Sequence, residues 1–208
     1  MSFVLAPALA LAACGDAPPE AGQAEAPPAA EAPPLLPPAS GPNAWVIDRS
    51  ASRLTFAGRQ GDTPFTGRFE RFDAQITLDP EAPEDGEIVV AVDLASVDAG
   101  SEDRNASLPE RGWFDTARHK QARFVSESVH RTGEGAYEAE GTVSLKGVDR
   151  PLTLPFTLEV TGNRAIAQGE AVLDRSAFGV GQGDFAGPEW VALEVTVSFR
   201  LEATRADD

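Results

Sequence analysis

The strongest constraint on this chain is a run of strict alternation near its C-terminus. Val191, Leu193, Val195, Val197, Phe199 and Leu201 fall on one side, and Ala192, Glu194, Thr196, Ser198 and Arg200 on the other. Side chains alternate across a β-strand with period two, so this is a strand with one dry face and one wet face. Leu152, Leu154, Phe156, Leu158 and Val160 repeat the pattern, as do Ile88, Val90, Val92 and Leu94. Weaker strands read at 45–48, 53–59, 65–78, 122–131, 136–146 and 165–174. Phe69 and Phe72 break the parity within 65–78, which predicts a bulge there. Turn residues separate the strands at Asp79-Pro80, Glu84-Asp85-Gly86, Thr132 to Gly135, Gly147, and Thr161-Gly162-Asn163. Segment 96–121 has no alternation, and Asp103 to Leu108 fits a short helical turn. About eight antiparallel strands with one break predict an all-β chain. A closed or nearly closed barrel removes exposed edges, and a two-sheet sandwich is the alternative.

The first 43 residues carry no such pattern. Phe3 to Ala13 is apolar and uncharged. It is too short to span a bilayer but fits the apolar part of a signal peptide, which gives a signal segment over 1–13. No Lys or Arg precedes it, which is unusual for such a signal. The run ends in Leu11-Ala12-Ala13-Cys14, which resembles the bacterial lipobox. Small residues there let a peptidase reach the bond before the cysteine, and Cys14 is the expected lipidation site. Several acyl chains on one N-terminus hold a membrane far better than one. Gly15 rather than Asp follows the cysteine, a resemblance to sorting signals that favours the outer membrane. Residues 14–43 then read as a lipidated cysteine and a disordered tether, with Pro18-Pro19, Pro27-Pro28, Pro33-Pro34 and Pro37-Pro38 paired. Such a segment favours extended polyproline II and reaches roughly 90 Å at about 3.1 Å per residue. Residues 44–205 form the folded domain, long enough for one barrel with a real core. The expected location is the periplasmic side of the cell envelope.

Charge removes several functions. The formal net charge is -16, and the segment 15–43 has Asp16, Glu20, Glu25 and Glu31 with no basic residue. Such a surface repels phosphate backbones, so nucleic acid is not an expected partner. One cysteine forbids an internal disulfide, and with only His119 and His130 beside it no Cys/His metal cluster is expected. No cofactor is expected. No Ser, His and Asp fall in a triad-like pattern, and no residue is assigned a catalytic role. Gly179-x-Gly181-x-Gly183 follows no nucleotide-binding pattern and reads as a flexible turn.

Short motifs in a fixed order carry more information than periodicity. Trp45-Val46-Ile47-Asp48 opens the domain, followed by Ser52-Arg53-Leu54-Thr55-Phe56 and Phe65-Thr66-Gly67-Arg68-Phe69. Phe72-Asp73-Ala74-Gln75-Ile76, Val92-Asp93-Leu94-Ala95-Ser96, Asp103-Arg104, Trp113-Phe114-Asp115 and Ala122-Arg123-Phe124 come next. Gly141 to Val148 and Asp174 to Gly181 complete the series. Over residues 45–205 this order resembles the YceI-like family. Two positions depart from it: Ala51 stands where the family often has His, and Lys120 where it often has Pro. The resemblance implies a lipocalin-like antiparallel barrel with a short helical or irregular lid. It also implies an elongated apolar cavity for a polyisoprenoid, such as an isoprenoid quinone or a polyprenyl phosphate.

On that resemblance, the inward stripes become the expected cavity lining: Leu54, Phe56, Phe65, Phe69, Ile76, Val90, Val92, Phe124, Leu154, Phe156, Leu158, Val195, Val197 and Phe199. Read from the residues alone, the same set is equally an ordinary core. A prenyl chain needs only dry walls, while a head group needs polar partners at the mouth. Asp103, Arg104, Trp113 and Asp115 in the lid, and Arg175 beside Phe178-Gly179, are the candidates. A structural Asp–Arg pair or a Trp113-Phe114 plug accounts for them as well. The function that follows is a tethered carrier or reservoir of isoprenoid lipid, held to the membrane through Cys14. The alternative is a non-catalytic module that assists a membrane b-type cytochrome or an envelope stress response.

Overall fold

The computed structural model describes residues 34–206. Cys14, the signal-like run and most of the proline-rich segment lie outside the described residues. Eleven strands form one sheet: β1 (Ala44–Ile47), β2 (Arg53–Gln60), β3 (Thr63–Phe69), β4 (Phe72–Asp79), β5 (Ala82–Asp93), β6 (Val97–Asp98), β7 (Gln121–Gly133), β8 (Ala136–Leu145), β9 (Val148–Thr161), β10 (Arg164–Asp174) and β11 (Glu194–Arg205). Eight of them close on themselves in the order β1-β4-β5-β7-β8-β9-β10-β11, with β11 returning to β1. All neighbours in this circuit are antiparallel. Hairpin β2–β3 adds to the upper part of β11, and β6 pairs with β3. The fold is an antiparallel β-barrel with, among the described residues, one short α-helix, α1 (Glu102–Ser107).

Closure explains why strict alternation survives so well in β9 and β11. Each strand of the closed circuit is paired on both sides and turns one face toward the interior, which preserves period two. Tight turns set the register. Lys146 and Gly147 both have positive φ, 54° and 75°, as a two-residue hairpin with primed geometry requires.

Two local expectations change. The parity break at Phe69 and Phe72 is a strand break rather than a bulge. At Glu70 and Arg71 the chain leaves β2 and β6 for β1 and β5. The loose backbone groups there are satisfied by the following turn: Glu70 N–H donates to the Ser96 carbonyl and Asp93 N–H to the Arg71 carbonyl. Glu84-Asp85-Gly86 is no turn but part of β5; the chain reverses at Pro80-Glu81. A register shift between Thr77 and Asp79 absorbs the irregularity.

One end of the barrel is plugged. Trp45 lies buried across it and donates from Nε1 to the Leu78 carbonyl at 2.9 Å. Tyr137 stacks on Phe156 with ring centroids 5.5 Å apart. Residues 34–43, grouped with the tether on composition, lie against the outer wall. Leu36 is buried there with Val89 and Ala91. The Leu35 N–H donates to Asp73, whose carboxylate also takes two bonds from Arg49, at 2.8 and 3.0 Å.

Candidate functional site

The barrel encloses a cavity of about 490 Å³. That lies within the usual range for a ligand site, roughly 300–1,000 Å³. All fourteen expected lining residues border it. β2 and β3 supply four of them, and three phenylalanines make an aromatic patch under the lid. The Phe56 and Phe69 centroids are 5.4 Å apart, and Phe69 and Phe114 are 6.1 Å apart. Gly67 makes this possible, because a Cβ there would strike the Phe56 ring.

The space itself comes from β10. Its inward positions include Ala165, Ala167 and Ala171, and a Cβ on Gly169 would press on Phe156 and Phe199. A stripe of small side chains facing large ones leaves volume that a Leu or Val stripe would fill. Alternate small residues at 165, 167, 169 and 171 are a readable signal of a hollow. They also explain why 165–174 scores as a weak strand. Trp45, Phe72, Leu78, Val143, Phe178, Val180 and Val191 line the cavity too, and all but Val191, which the alternating run includes, escaped the alternation argument. Phe178 and Val180 sit in the irregular β10–β11 connection, where period two does not apply.

The wall is almost wholly apolar. Its polar side chains gather at the end opposite Trp45: Gln60, Ser101, Asp103, Arg104, Ser107, Arg123 and Arg175. That end is the mouth, framed by hairpin β2–β3, the lid 94–120 and the connection 175–193.

Asp103, Arg104, Trp113 and Arg175 border the cavity as head-group candidates, and Asp115 does not. Asp115 is a buried turn residue at φ 52°, with its carboxylate 3.2 Å from Arg118 and its carbonyl accepting from the Arg118 and His119 N–H groups. Arg104 donates to the Ala99 carbonyl at 2.9 Å and to Gln60 Oε1 at 3.2 Å, and lies over the Phe65 ring at 4.8 Å. Two of its five donors are in those bonds. Arg175 is different. Only 5% exposed, it donates to the carbonyls of Ala192, Val180, Gly181, Gly187 and Val191. All five guanidinium donors are used, which leaves none to offer a head group. Burial pushes its pKa below the usual arginine range, with Asp174 opposing. The side chain sits 5.7 Å from the Trp113 ring and holds the rim together. Gly181 at φ 78° is part of the same device, since a Cβ there would collide with the guanidinium.

The lid and rim are tied to each other and to the barrel. Gly181 and Gln182 N–H groups both donate to the Gly112 carbonyl. Lys146 donates to the Gly179 carbonyl at 2.6 Å, and desolvation lowers its pKa despite the nearby Asp115. Among the described residues, no group of three or more His, Cys, Asp or Glu side chains is placed to hold a metal ion.

Known proteins share this architecture. BcnA of Burkholderia cenocepacia superposes with a TM-score of 0.74 at 32% identity, over 76% of this chain and 99% of that one. A polyisoprenoid binding domain from Saccharophagus degradans, implicated in plant cell wall breakdown, superposes at 0.62 and 17% identity, over 78% and 98%. That likeness shows the fold alone. Among curated sequences, UPF0312 proteins of Shewanella denitrificans and Serratia proteamaculans are 32% and 35% identical. Those matches cover 58% and 47% of this chain, and the chain spans only 64% and 50% of those relatives. Residues 45–203 match the YceI-like domain, and this chain belongs to that family.

Proposed function

We propose that this protein holds an isoprenoid lipid in its barrel, as an envelope carrier or reservoir anchored to the membrane through Cys14. The observation that carries this reading is the cavity: about 490 Å³, apolar along its length, with polar side chains at the mouth only. An isoprenoid has the same division, a long hydrocarbon tail and one polar head. Burial is worth about 0.8 kcal/mol per CH₂-sized group, so a five-carbon unit gains roughly 4 kcal/mol before ordering costs. No special residue is needed for the tail. The Saccharophagus domain of the same fold is described as polyisoprenoid-binding, which supports the class of ligand. The alternative of an interaction module beside a b-type cytochrome fits a filled barrel better than a hollow one. The quinone or polyprenyl phosphate head would meet Arg104, Gln60 and Asp103 at the mouth.

The test is the dependence of affinity on tail length. Isoprenoid quinones with one, two, three and more isoprene units are titrated into the Cys14→Ser chain, with quenching of its tryptophans as the readout. Affinity should rise at least tenfold per added unit until the cavity is full, and then level. Affinity that ignores tail length would overturn the reading.

A further inference from the structure

The first described residues, from Pro34, lie against the mouth half of the barrel, and the mouth end carries the exposed Trp190 and Phe185. β11 runs away from the mouth, from Glu194 to Arg205, and β1 pairs with its far half. β1 therefore starts at the plugged end, where Asn43 accepts from the Leu78 N–H. Residues 34–43 precede it and run down the outer wall from the mouth half to the plugged end. Leu35 reaches Asp73 near the start of β4, and Leu36 packs on Val89 and Ala91 near the end of β5. Asp73 pairs with Ala91, two residues short of the end of β5, which is about 7 Å at roughly 3.4 Å per residue. Asp73 and Asn43 hold the two ends of this strap, so its first described residues lie against the mouth half of the barrel.

The rim at that end carries exposed aromatic side chains. Trp190 is 62% exposed, and it is the largest side chain so placed. Its carbonyl accepts from the Gly61 N–H, which sets it beside the tip of hairpin β2–β3. Its neighbour Val191 lines the cavity, and Trp190 does not. Phe185, 37% exposed, borders the mouth and packs on Trp113 at 5.3 Å. An exposed Trp and Phe at one end of an apolar cavity have the chemistry of a membrane interface, where aromatic rings settle at headgroup level. Asp184 and Glu189 directly precede these aromatics in the sequence, Asp62 sits at the tip of hairpin β2–β3, and the chain carries a net charge of -16. Those charges favour a zwitterionic surface over an anionic one.

We propose that the mouth rim, through Trp190 and Phe185, is a docking face for a zwitterionic bilayer, and that the strap of residues 34–43 aims it there. This rests on the carrier reading, since a lipid cargo must enter from a bilayer. A tether bound at the mouth half keeps the rim at high effective concentration over the membrane, so weak contacts suffice.

The experiment uses the full chain with Cys14→Ser and an N-terminal hexahistidine, held on phosphatidylcholine vesicles by a nickel-chelating lipid. This imposes tethering whether or not Cys14 is lipidated. Emission of the three tryptophans is compared on plain vesicles and on vesicles brominated in the upper acyl chain. The expected result is quenching on the brominated vesicles that Trp190→Phe abolishes. Without the tag, Trp190→Ala should also weaken vesicle co-sedimentation roughly tenfold, whereas Val172→Ala on the barrel wall should not. Equal emission on both vesicles, or quenching that survives Trp190→Phe, would overturn the docking face. Lipid extracted from the same preparation separates the two claims. Cargo without docking removes the rim proposal alone, and docking with an empty barrel removes the carrier reading.

Discussion

Replacing Arg175 by Met should loosen the whole rim, and its cost can be worked from the bonds that disappear. Five carbonyls, those of Ala192, Val180, Gly181, Gly187 and Val191, lose their donor at once. Each charge-assisted bond is worth about 1.5–3 kcal/mol when its acceptor is left unpaired. Against this stands the desolvation of a buried guanidinium, several kcal/mol, which Met removes. Some carbonyls will also find water as the connection opens. The net expectation is a loss of about 3–5 kcal/mol, in the range seen for breaking a buried charged network. At roughly 2–4 °C per kcal/mol for a domain of this size, the melting temperature should fall by about 6–20 °C. Arg175→Lys should recover part of the loss, because an ammonium keeps three donors but not the planar fork. Urea unfolding followed by fluorescence measures it, and amide exchange of residues 175–193 localises it. A Met variant within about 1 kcal/mol of the parent, with unchanged exchange, would refute the claim that Arg175 organises the rim.

Other outcomes follow from single contacts. Trp45→Phe deletes the bond to the Leu78 carbonyl in the plugged end and should cost about 1–3 kcal/mol by calorimetry. Gly141→Ala drives a Cβ onto the Val125 carbonyl and to 2.8 Å from Ser126 Cα, both backbone, so β7 and β8 must part. A cost of about 3 kcal/mol is expected in urea unfolding. Asp174 accepts from the Ser176 hydroxyl and from backbone N–H groups, which lower its pKa below 3.8. A carboxylate with a depressed folded pKa stabilises fully above the unfolded value and ceases to as pH falls through the folded one. Asp174→Asn should therefore be less stable than the parent at neutral pH, with the difference narrowing below pH 3.8 in acid titrations.

The barrel was legible wherever one face of a strand is wet and the other dry. β9 and β11 show this over most of their length, and the fourteen inward residues follow from parity. The corner at Phe69 and Phe72 was visible as a fault in parity but not as a break. Both rings still face the interior, and only the partners of the strand change. Glu84-Asp85-Gly86 has turn chemistry, yet the reversal lies at Pro80-Glu81, because β5 pairs with β4 from Ala82 onward. The rim was the least legible part. Its order depends on one guanidinium bonding carbonyls up to seventeen residues away, and carbonyls carry no sequence identity. Leu35 and Leu36 were hidden among prolines, although two adjacent leucines in such a segment are the residues that can be buried. The hollow was encoded in the small residues of β10, where an absence of bulk is easily read as weakness.

The central claim is that the barrel holds a prenyl lipid, and mass spectrometry of an organic extract tests it most directly. The Cys14→Ser chain is purified from a host that makes quinones and polyprenyl phosphates, alongside a variant with Phe156→Trp and Val197→Trp. Both positions line the cavity, so the added rings occupy its space without touching the outer face. The account predicts a stoichiometric prenyl lipid in the parent and its loss from the variant. A parent that comes out empty, and stays empty when quinone is added, would contradict it.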